Sequence, residues 1–332
     1  MEVECDVKVL VTGSTGFVGS RVVQMVSNKD WGCVEVSRLS AQDNIFSLYK
    51  TKEKTDCFQV TDISSITQWE GAFNGVECIV HCAARVHQMN ESETEARSAY
   101  HEVNTLGTLH LARQAAKAGV KRFVFLSSIK VNGEATQAGE SFKPDLINKP
   151  VDPYGLSKYE AEVGLQQIAE ETGLEVVIIR PPLVYGPNVK ANFLSMINVV
   201  AKGLPFPLGA IDNRRSMVYL DNLVDLILTS CVHINAAGRT FLVSDDNDVS
   251  LTYMLHSISK AMKRTRYLLL PIPPSWIKFA AKIIGKPEVA QRLCGNLQLD
   301  IQETKNALDW NPPFDFDEGI QRTVDHYMQQ KK

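Results

Sequence analysis

A tyrosine and a lysine four residues apart, Tyr154 and Lys158, are well suited to proton transfer in this chain of 332 residues. Residues at this spacing share one face of a helix. A free phenol has a pKa near ~10, and a nearby ammonium favours the phenolate and lowers that pKa. The pair could then pass a proton to or from a substrate oxygen. Because the spacing also arises by chance on surface helices, the surrounding elements must support this interpretation.

The residues around this pair predict a helix that presents it to a substrate. Asp152 can cap the helix, Pro153 suits its first turn, and the helical pattern runs on to Gly173. Ser128 ends an apolar strand run, and its hydroxyl could bind the same substrate oxygen as the tyrosine. The alternative is that this hydroxyl only caps the turn after the strand. The candidate catalytic residues are therefore Ser128, Tyr154 and Lys158.

The chain opens with a pattern of strand, glycine turn and helix. The apolar run 7–12 predicts a buried strand, and glycines follow at G-x-x-G-x-x-G spacing before a helix that ends near Ser27. The glycines permit a tight turn, a close approach of the backbone to a pyrophosphate, and close packing of the helix on the sheet. The predicted cofactor contacts in this turn are Gly13, Thr15, Gly16, Phe17, Val18 and Gly19.

The end of the second predicted strand, Cys33–Val36, bears on which dinucleotide is bound. In an NAD site a carboxylate at this point binds the adenosine ribose. This chain instead has Ser37 and Arg38, a hydroxyl and a guanidinium that suit a 2′-phosphate. Glu35 lies too early in the strand to replace that carboxylate. The sequence therefore favours NADP(H), with NAD(H) as the alternative.

Further strand ends should line the same crevice, because ligands of open parallel sheets bind beyond the carboxyl ends of the strands. Four more strands are predicted, at 57–62, 76–84, 122–128 and 175–180. His81 lies inside an apolar run and is predicted to be packed rather than catalytic. Asn104 lies in a helix predicted at 100–119 and could bridge to the neighbouring strand. The cofactor residues predicted here are Asp62, Ile63, Ala83, Ala84, Asn104, Pro181 and Val184.

The composition argues against several classes of function. The net charge of -3 shows no basic excess of the kind that binds nucleic acid. No run of ~18 uncharged apolar residues predicts a membrane span, and the acidic start of the chain does not resemble a signal peptide. The seven cysteines are scattered, without a C-x-x-C pair or metal-ligand spacing. We therefore expect a cytoplasmic protein with reduced thiols and no metal site.

The order of these elements predicts an α/β fold, a Rossmann-type doubly wound parallel sheet with a smaller mixed α/β C-terminal substrate domain. We predict that residues 1–184 form the NAD(P)-binding domain, with a returning segment at about 216–245. Residues 185–332 should form mainly the substrate-binding domain. Within it, 273–284 predicts an amphipathic helix that could touch a membrane. Packing of this helix on the substrate domain is the favoured alternative.

Three motifs together resemble the extended short-chain dehydrogenase/reductases: the glycine turn, the serine–tyrosine–lysine set and the run Arg180–Pro187. The resemblance covers nearly the whole chain and is closest to the nucleotide-sugar branch that includes UDP-galactose 4-epimerase. Within that branch, 127–133 and 213–219 look like bacterial C4 reductases and epimerases of N-acetylhexosamine nucleotides. Those enzymes serve the synthesis of surface polysaccharides such as lipopolysaccharide. The resemblance implies an NAD(P)-dependent enzyme with a UDP-sugar substrate, and a homodimer.

The resemblance also implies roles for individual residues. Tyr154 would be the acid/base, Lys158 would hold the nicotinamide ribose, and Ser128 would orient the C4 oxygen. Arginines suit the diphosphate because a guanidinium pairs with phosphate through two hydrogen bonds, although a solvated surface charge is the alternative for each. The implied substrate contacts are Arg85, His87, Ser128, Lys130, Asn132, Tyr154, Asn192, Arg215 and Arg292. Of these, Asn192, Arg215 and Arg292 match positions that hold the nucleotide diphosphate.

Two departures from the epimerase pattern bear on the reaction. Ser37 replaces the ribose-binding aspartate, and Asn132 stands where the pattern usually has tyrosine. An epimerase withdraws hydride from C4 and returns it, whereas a reductase consumes one reduced cofactor per turnover and often draws NADPH. The sequence therefore favours NAD(P)H-dependent reduction at C4 of a UDP-4-keto-6-deoxy-N-acetylhexosamine, giving a UDP-N-acetylquinovosamine- or fucosamine-type sugar.

Two alternatives to the reductase remain. The first is 4-epimerisation of UDP-glucose or UDP-N-acetylglucosamine at the same residues, with a lipid-linked sugar diphosphate as a variant substrate. The second is a redox-sensing regulator that keeps the cofactor fold but has no chemistry. The complete set of serine, tyrosine and lysine counts against the regulator.

Overall fold

The computed structural model describes residues 7–38, 54–86, 93–145, 149–203, 205–264, 269–285 and 287–331. Its strands are β1 (Lys8–Thr12), β2 (Gly32–Arg38), β3 (Thr55–Val60), β4 (Cys78–His81), β5 (Arg122–Leu126), β6 (Glu175–Arg180), β7 (Leu183–Tyr185), β8 (Met217–Tyr219) and β9 (Thr240–Leu242). Seven of them form one parallel sheet in the order β3-β2-β1-β4-β5-β6-β9. The other two, β7 and β8, pair in parallel beside it.

Helices connect these strands. They are α1 (Phe17–Asn28), α2 (Glu93–Tyr100), α3 (Thr108–Lys117), α4 (Pro153–Thr172), α5 (Ala191–Lys202), α6 (Leu220–Val232), α7 (Leu251–Ala261), α8 (Pro274–Ile283), α9 (Pro287–Cys294), α10 (Gln302–Leu308) and α11 (Phe316–Gln329). A π-helical segment, His101–Gly107, joins α2 to α3, and a 3₁₀ segment, Ile129–Val131, follows β5. None of the helices in the described ranges is long and apolar enough to cross a membrane.

The apolar runs of the central strands are explained by burial of both faces of the sheet. In β1, Val9 and Val11 belong to one hydrophobic core, which α1 and α6 cover, and Leu10 belongs to the core on the opposite face, which α3 and α4 cover. An ion pair between Arg21 of α1 and Asp221 of α6 borders the first core, with N–O distances of 2.7 and 2.9 Å. The predicted fold class is confirmed.

A third core lies in the C-terminal part of the chain. It joins residues of β7, β8, α5, α7 and α11, among them Tyr185, Phe193 and Phe316. Asp245, just after β9, receives a hydrogen bond from the Tyr185 hydroxyl at 2.7 Å and so links this core to the edge of the main sheet. The proposed division into 1–184 and 185–332, with a returning segment that includes β9, stays a prediction.

Most predicted elements exist, and the differences lie at their ends. β6 has the predicted bounds, whereas β3 stops at Val60 and β4 stops at His81. The ladder of β4 ends there because its neighbour β1 ends at Thr12, which lies opposite His81. The predicted cofactor residues Asp62 and Ala83 therefore lie in loops beyond the carboxyl ends of their strands, rather than within them.

The structure agrees in part with the favoured expectation for the amphipathic segment 273–284. It forms the helix α8, but packing on the substrate domain buries only its inner side, where Ala281 is buried and Ile277 is partly buried. Its large apolar residues Trp276, Phe279 and Ile283 are exposed. The helix therefore has apolar residues beyond those that pack on the domain. The periodicity of the sequence could not show which of its apolar residues are buried and which are exposed.

Candidate active site

The helix that carries the tyrosine and the lysine begins where the sequence predicts. Asp152 precedes α4, and its carboxylate accepts a hydrogen bond from the Gly155 N–H at 2.8 Å. Pro153 is the first helical residue, a position where its fixed φ suits the helix and its missing N–H costs no hydrogen bond. Tyr154 and Lys158 therefore lie one turn apart on one face of α4.

Lys158 is buried against the end of β5. The residue is 1% exposed, its Nζ donates to the carbonyl of Leu126 at 2.8 Å, and its ammonium lies 4.5 Å from the centre of the Phe125 ring. Burial disfavours the charged form and lowers the pKa of Lys158 to about 8. Since Leu126 is the last residue of β5, this hydrogen bond fixes α4 to the carboxyl end of the sheet.

The ring of Tyr154 packs between two neighbours. Tyr100 lies edge-on to it with ring centres 5.9 Å apart, and the Lys130 ammonium lies 5.9 Å from its ring centre. Burial raises the pKa of Tyr154 to about 12, and Asp152 and Tyr100 act in the same direction. The predicted lowering of the Tyr154 pKa by Lys158 is wrong, because desolvation of the phenolate dominates and the lysine ammonium is held by a main-chain carbonyl.

The two serines after β5 have different surroundings. The Ser127 hydroxyl is buried and donates to the carboxylate of Glu162 in the interior. Ser128 is partly exposed, precedes the 3₁₀ segment and accepts a hydrogen bond from the Lys130 N–H at 3.3 Å. Ser128 thus caps this turn, as the alternative interpretation expects. Its contact with a substrate oxygen stays a prediction.

A buried ion pair behind the catalytic candidates is absent from the sequence predictions. Glu162 follows Lys158 by one turn of α4 and pairs with Arg180 at an N–O distance of 2.6 Å, with side chains 3% and 5% exposed. Arg180 also donates to the Asn132 Oδ1 at 3.0 Å and to the carbonyl of Pro144 at 2.6 Å. The signal that could have found this pair is a glutamate four residues after the lysine together with an arginine that ends an apolar strand.

Asn132, one of the predicted substrate contacts, has protein partners on both sides of its amide. Its Oδ1 accepts from Arg180, and its Nδ2 donates to the carbonyl of Lys143 at 2.7 Å. The asparagine that departs from the epimerase pattern therefore links the 3₁₀ segment to the loop that follows it. Its contact with substrate stays a prediction.

The glycine turn between β1 and α1 is too tight for side chains. Gly13 has a φ of +67°, and a Cβ built on it would lie 2.8 Å from the Ala83 nitrogen. A Cβ on Gly19 would lie 2.1 Å from the Gly13 carbonyl oxygen. Thr15 and Gly16 are exposed, and Gly16 directly precedes α1. The main chain at a helix N-terminus is thus left bare, which fits the pyrophosphate of the expected dinucleotide.

Five other predicted cofactor residues lie around this turn and the strand ends. Phe17 and Val18 are the first residues of α1 and are half-buried. Ala84 follows β4 in the same loop as the alanine that contacts the glycine turn. Pro181 is buried directly after β6, and Val184 is half-buried in β7. Their contacts with a cofactor stay predictions.

Ser37 and Arg38 end β2 at the edge predicted to receive the adenosine ribose. Arg38 is exposed, and Glu35 projects to the same side as Ser37, with its pKa raised by burial. Beyond the end of the neighbouring strand β3, the carboxylate of Asp62 accepts a hydrogen bond from the Ile63 N–H at 2.8 Å. These residues cluster at one end of the β2–β3 pair. The preference for NADP(H) stays a prediction.

Asn104 ties the loop after β4 to the catalytic helix. Its Oδ1 accepts from the Arg85 N–H at 2.8 Å, and its Nδ2 donates to the Arg85 carbonyl and to the Ser157 hydroxyl, both at 3.1 Å. Asn104 is thus a bridging polar residue, but the predicted partner is wrong, because its hydrogen bonds go to a loop and to α4 instead of a strand. His87, another predicted substrate contact, lies outside the described residues.

His81 is a packed strand residue, as predicted. It is 0% exposed, and its two ring nitrogens lie 2.7 and 2.9 Å from the hydroxyls of Thr12 and Thr108. Burial and the charge of Lys158 lower the pKa of His81 to about 3. The imidazole is therefore neutral near pH 7 and links β1, β4 and α3.

The structure brings together two of the three residues predicted to hold the diphosphate. The Arg215 guanidinium donates to the carbonyls of Arg292 and Gly295, both at 3.1 Å, and burial lowers the pKa of Arg215. The Arg292 side chain is exposed. Asn192 is exposed in the first turn of α5. The Arg215 guanidinium beside the main chain of α9 suits an anionic ligand.

Comparison with known proteins assigns this chain to a family. Residues 9–244 match the sequence profile described as "NAD dependent epimerase/dehydratase family", and a UDP-glucose 4-epimerase of Vibrio cholerae is 44% identical over 97% of this chain and 95% of that protein. The chain therefore belongs to the NAD dependent epimerase/dehydratase family, within the extended short-chain dehydrogenase/reductases. It is an enzyme with NAD-dependent activity.

More distant relatives share the fold. An N-acetyl-alpha-D-glucosaminyl-diphospho-ditrans,octacis-undecaprenol 4-epimerase of Escherichia coli O157:H7 is 26% identical over 96% of this chain and 94% of its own length. The crystal structure of a UDP-glucuronic acid 4-epimerase from Bacillus cereus in complex with NAD superposes with a TM-score of 0.76 at 19% identity. That match covers 98% of this chain and 100% of the other.

Proposed function

We propose that this protein interconverts the C4 epimers of a UDP-hexose or UDP-N-acetylhexosamine. The observation that best supports this is the placement of Tyr154 and Lys158 on one face of α4, which a buried hydrogen bond fixes to the carboxyl end of β5. A relative that is 44% identical over nearly its whole length and is named UDP-glucose 4-epimerase favours the same reaction. This proposal reverses the preference for a reductase that the sequence alone supports.

In this proposal Tyr154 takes the proton of the C4 hydroxyl and returns it to the keto oxygen, while Ser128 orients that oxygen. When bound, the oxidised nicotinamide supplies a hydride acceptor and a positive charge. Because burial raises the pKa of Tyr154 to about 12, the phenol keeps its proton until positive charge approaches. The Lys130 ammonium, 3.1 Å from the Asp152 carboxylate, partly offsets the negative charge that raises this pKa.

The nucleotide end of the substrate would lie against the arginines. Arg215 and Arg292 are joined through the hydrogen bond from the Arg215 guanidinium to the Arg292 carbonyl at 3.1 Å, and both could bind the diphosphate. Asn192, at the exposed start of α5, would complete this contact. The half-buried position of Arg215 favours a fixed, directional contact over a freely solvated charge.

A single assay tests the proposal. The purified protein is incubated with UDP-glucose or UDP-N-acetylglucosamine without added nicotinamide, and the sugar nucleotides are separated by chromatography. We expect the C4 epimer to appear with the natural protein and not with Tyr154→Phe. Failure of the natural protein to form either epimer, with its bound cofactor content verified, would contradict the proposal.

Reduction at C4 of a UDP-4-keto-6-deoxy-N-acetylhexosamine is the second candidate. The pair Ser37–Arg38 at the end of β2 favours it, because a guanidinium at that point suits the 2′-phosphate of NADPH. Under this alternative the protein consumes NADPH with the keto-sugar, and the epimerase assay gives no product. Arg38→Ala should then weaken NADPH binding more than NADH binding.

Assembly, location and the carrier of the sugar belong to the same proposal. The expected homodimer would form through the helices that follow Tyr100 and Tyr154, which are the π-helical segment with α3 and the helix α4. The expected compartment is the cytoplasm, where the products would enter surface-polysaccharide synthesis. The relative from E. coli O157:H7 is named for a sugar linked through diphosphate to undecaprenol. Supplying that lipid-linked sugar in the epimerase assay tests this variant directly.

A further inference from the structure

Helix α8 presents a stripe of large apolar side chains to solvent. Trp276 is 71% exposed, Phe279 is 67% exposed and Ile283 is 70% exposed, and Ile284 beyond the helix end is 69% exposed. The first three lie at positions i, i+3 and i+7, so they project from one side of the helix. Scattered apolar residues are common on protein surfaces, but four together on one short element mark an interaction site.

The stripe is not needed to hold α8 in place. The helix already has an inner side, on which Ala281 is buried and Ile277 packs against the third core. The exposed stripe is a second apolar side of the same helix. A helix that shows one apolar side to its own domain and another to solvent offers a contact surface that the described residues of this chain do not cover.

The charge around the stripe favours a partner that is negatively charged. From residue 249 to residue 287 the chain has no aspartate or glutamate, although the whole protein has a net charge of -3. Exposed lysines, Lys278 and Lys282, lie on α8 itself. The basic residues of this stretch are Lys260, Lys263, Arg264, Arg266, Lys278, Lys282 and Lys286.

We propose that α8 docks on the surface of a bilayer that contains anionic lipids. Tryptophan and phenylalanine with lysines beside them are the side chains that suit the boundary between headgroups and acyl chains. A second copy of this chain fits less well, because two such basic faces would repel each other. In addition, four side chains on a helix about 15 Å long cover less than the ~800 Å² per partner that a stable interface buries.

Docking through α8 would bring the candidate substrate site close to the membrane. α8 packs on α9, and the Arg292 carbonyl of α9 accepts a hydrogen bond from the Arg215 guanidinium. The predicted diphosphate contacts Arg215 and Arg292 are therefore connected to α8 through α9. The membrane proposal does not depend on which sugar is epimerised or reduced, because vesicle binding can be measured without substrate.

Cosedimentation of the full chain with lipid vesicles tests this inference. We expect the protein to sediment with vesicles of phosphatidylcholine and phosphatidylglycerol, and much less with phosphatidylcholine alone. Trp276→Ser/Phe279→Ser should weaken binding to the anionic vesicles by about tenfold or more, since two large apolar contacts are lost. Lys278→Gln/Lys282→Gln should weaken it by about fivefold for each lysine, and added salt should weaken it further.

The matched control is Ile66→Ser/Ile234→Ser, which removes two apolar residues that are 78% and 84% exposed elsewhere. It should bind vesicles like the natural protein, and thermal melting should show that all variants are folded. The proposal is overturned if the natural protein does not bind anionic vesicles or if the α8 variant and the control bind equally. A change in oligomeric mass caused by Trp276→Ser/Phe279→Ser, with vesicle binding intact, would also overturn it in favour of a second copy.

Discussion

One face of α4 carries two polar regions, one turn apart, whose side chains differ in their hydrogen-bond and ion-pair partners. At the crevice end, Tyr154 and Lys158 have pKa values displaced by burial, and in the described part of the chain the lysine makes one hydrogen bond, to the Leu126 carbonyl. At the other end, Glu162 is paired with Arg180 and also accepts from Ser127. Both regions are buried, but the second contains an ion pair between opposite charges, whereas burial in the first raises the pKa of the tyrosine and lowers that of the lysine.

In the proposed mechanism, Tyr154 and Lys158 take part in the reaction, whereas Glu162, on the same helix, supports the structure. A buried group that keeps an unfavourable protonation state costs stability, and such groups concentrate where a reaction uses them. A buried ion pair with several further hydrogen bonds fixes the geometry of the side chains around it. Substitutions at the two ends should therefore change different measured quantities.

The largest effect is expected from Tyr154→Phe, which removes the hydroxyl and keeps the ring against Tyr100. Turnover should fall by about 10²–10⁴-fold, because the proton carrier is lost. The melting temperature should change little. Steady-state kinetics with UDP-glucose and a thermal melt measure both quantities, and unchanged turnover would remove Tyr154 from the mechanism.

Arg180→Met should affect stability instead. It leaves the Glu162 carboxylate buried without its partner, so the free energy of unfolding should fall by roughly 3–5 kcal/mol. The double variant Glu162→Met/Arg180→Met removes both charges and should recover part of this loss. Urea denaturation followed by circular dichroism measures each value. If the single and double variants are equally destabilised, the ion pair is not the cause.

Lys158→Met should change how stability depends on pH. Since burial lowers the pKa of Lys158 to about 8 from 10.5, the unfolded chain binds more protons than the folded one between these two values. Lys158 should therefore contribute a gain in stability as pH rises from 8 to 10.5, by at most about 1.4 kcal/mol per pH unit. The variant should lose this gain. Lys117→Met, at an exposed lysine at the end of α3, is the control, and an unchanged slope in Lys158→Met contradicts the expectation.

The smallest effect is expected from Asp152→Ala, which removes the cap of α4. Stability should fall by about 1 kcal/mol. Because the Asp152 carboxylate raises the pKa of Tyr154, the pH profile of turnover should also move to lower pH. Asp315→Ala removes the cap of α11, where the carboxylate accepts from the Glu318 N–H at 2.8 Å. This control should lose similar stability without moving the pH profile.

Local patterns predicted the framework of the site well. The glycine turn, the bounds of β6 and the start of α4 at Pro153 were all found from residue types, because φ preferences and short-range periodicity determine them. The packed role of His81 was also found, since it lies inside an apolar run. The carboxyl ends of β3 and β4 were placed too late, because strand ends depend on the neighbouring strand.

The sequence by itself determined the class of fold, the glycine turn and the pair Tyr154–Lys158, because each depends on residues close together in the chain. Only the tertiary structure decided which of the two serines meets Glu162, that Asn132 binds Arg180, and which side of α8 remains exposed. These contacts join residues far apart in sequence, and their partners come together only when the sheet and its helices pack. The same packing sets the burial that raises the pKa of the tyrosine and lowers that of the lysine.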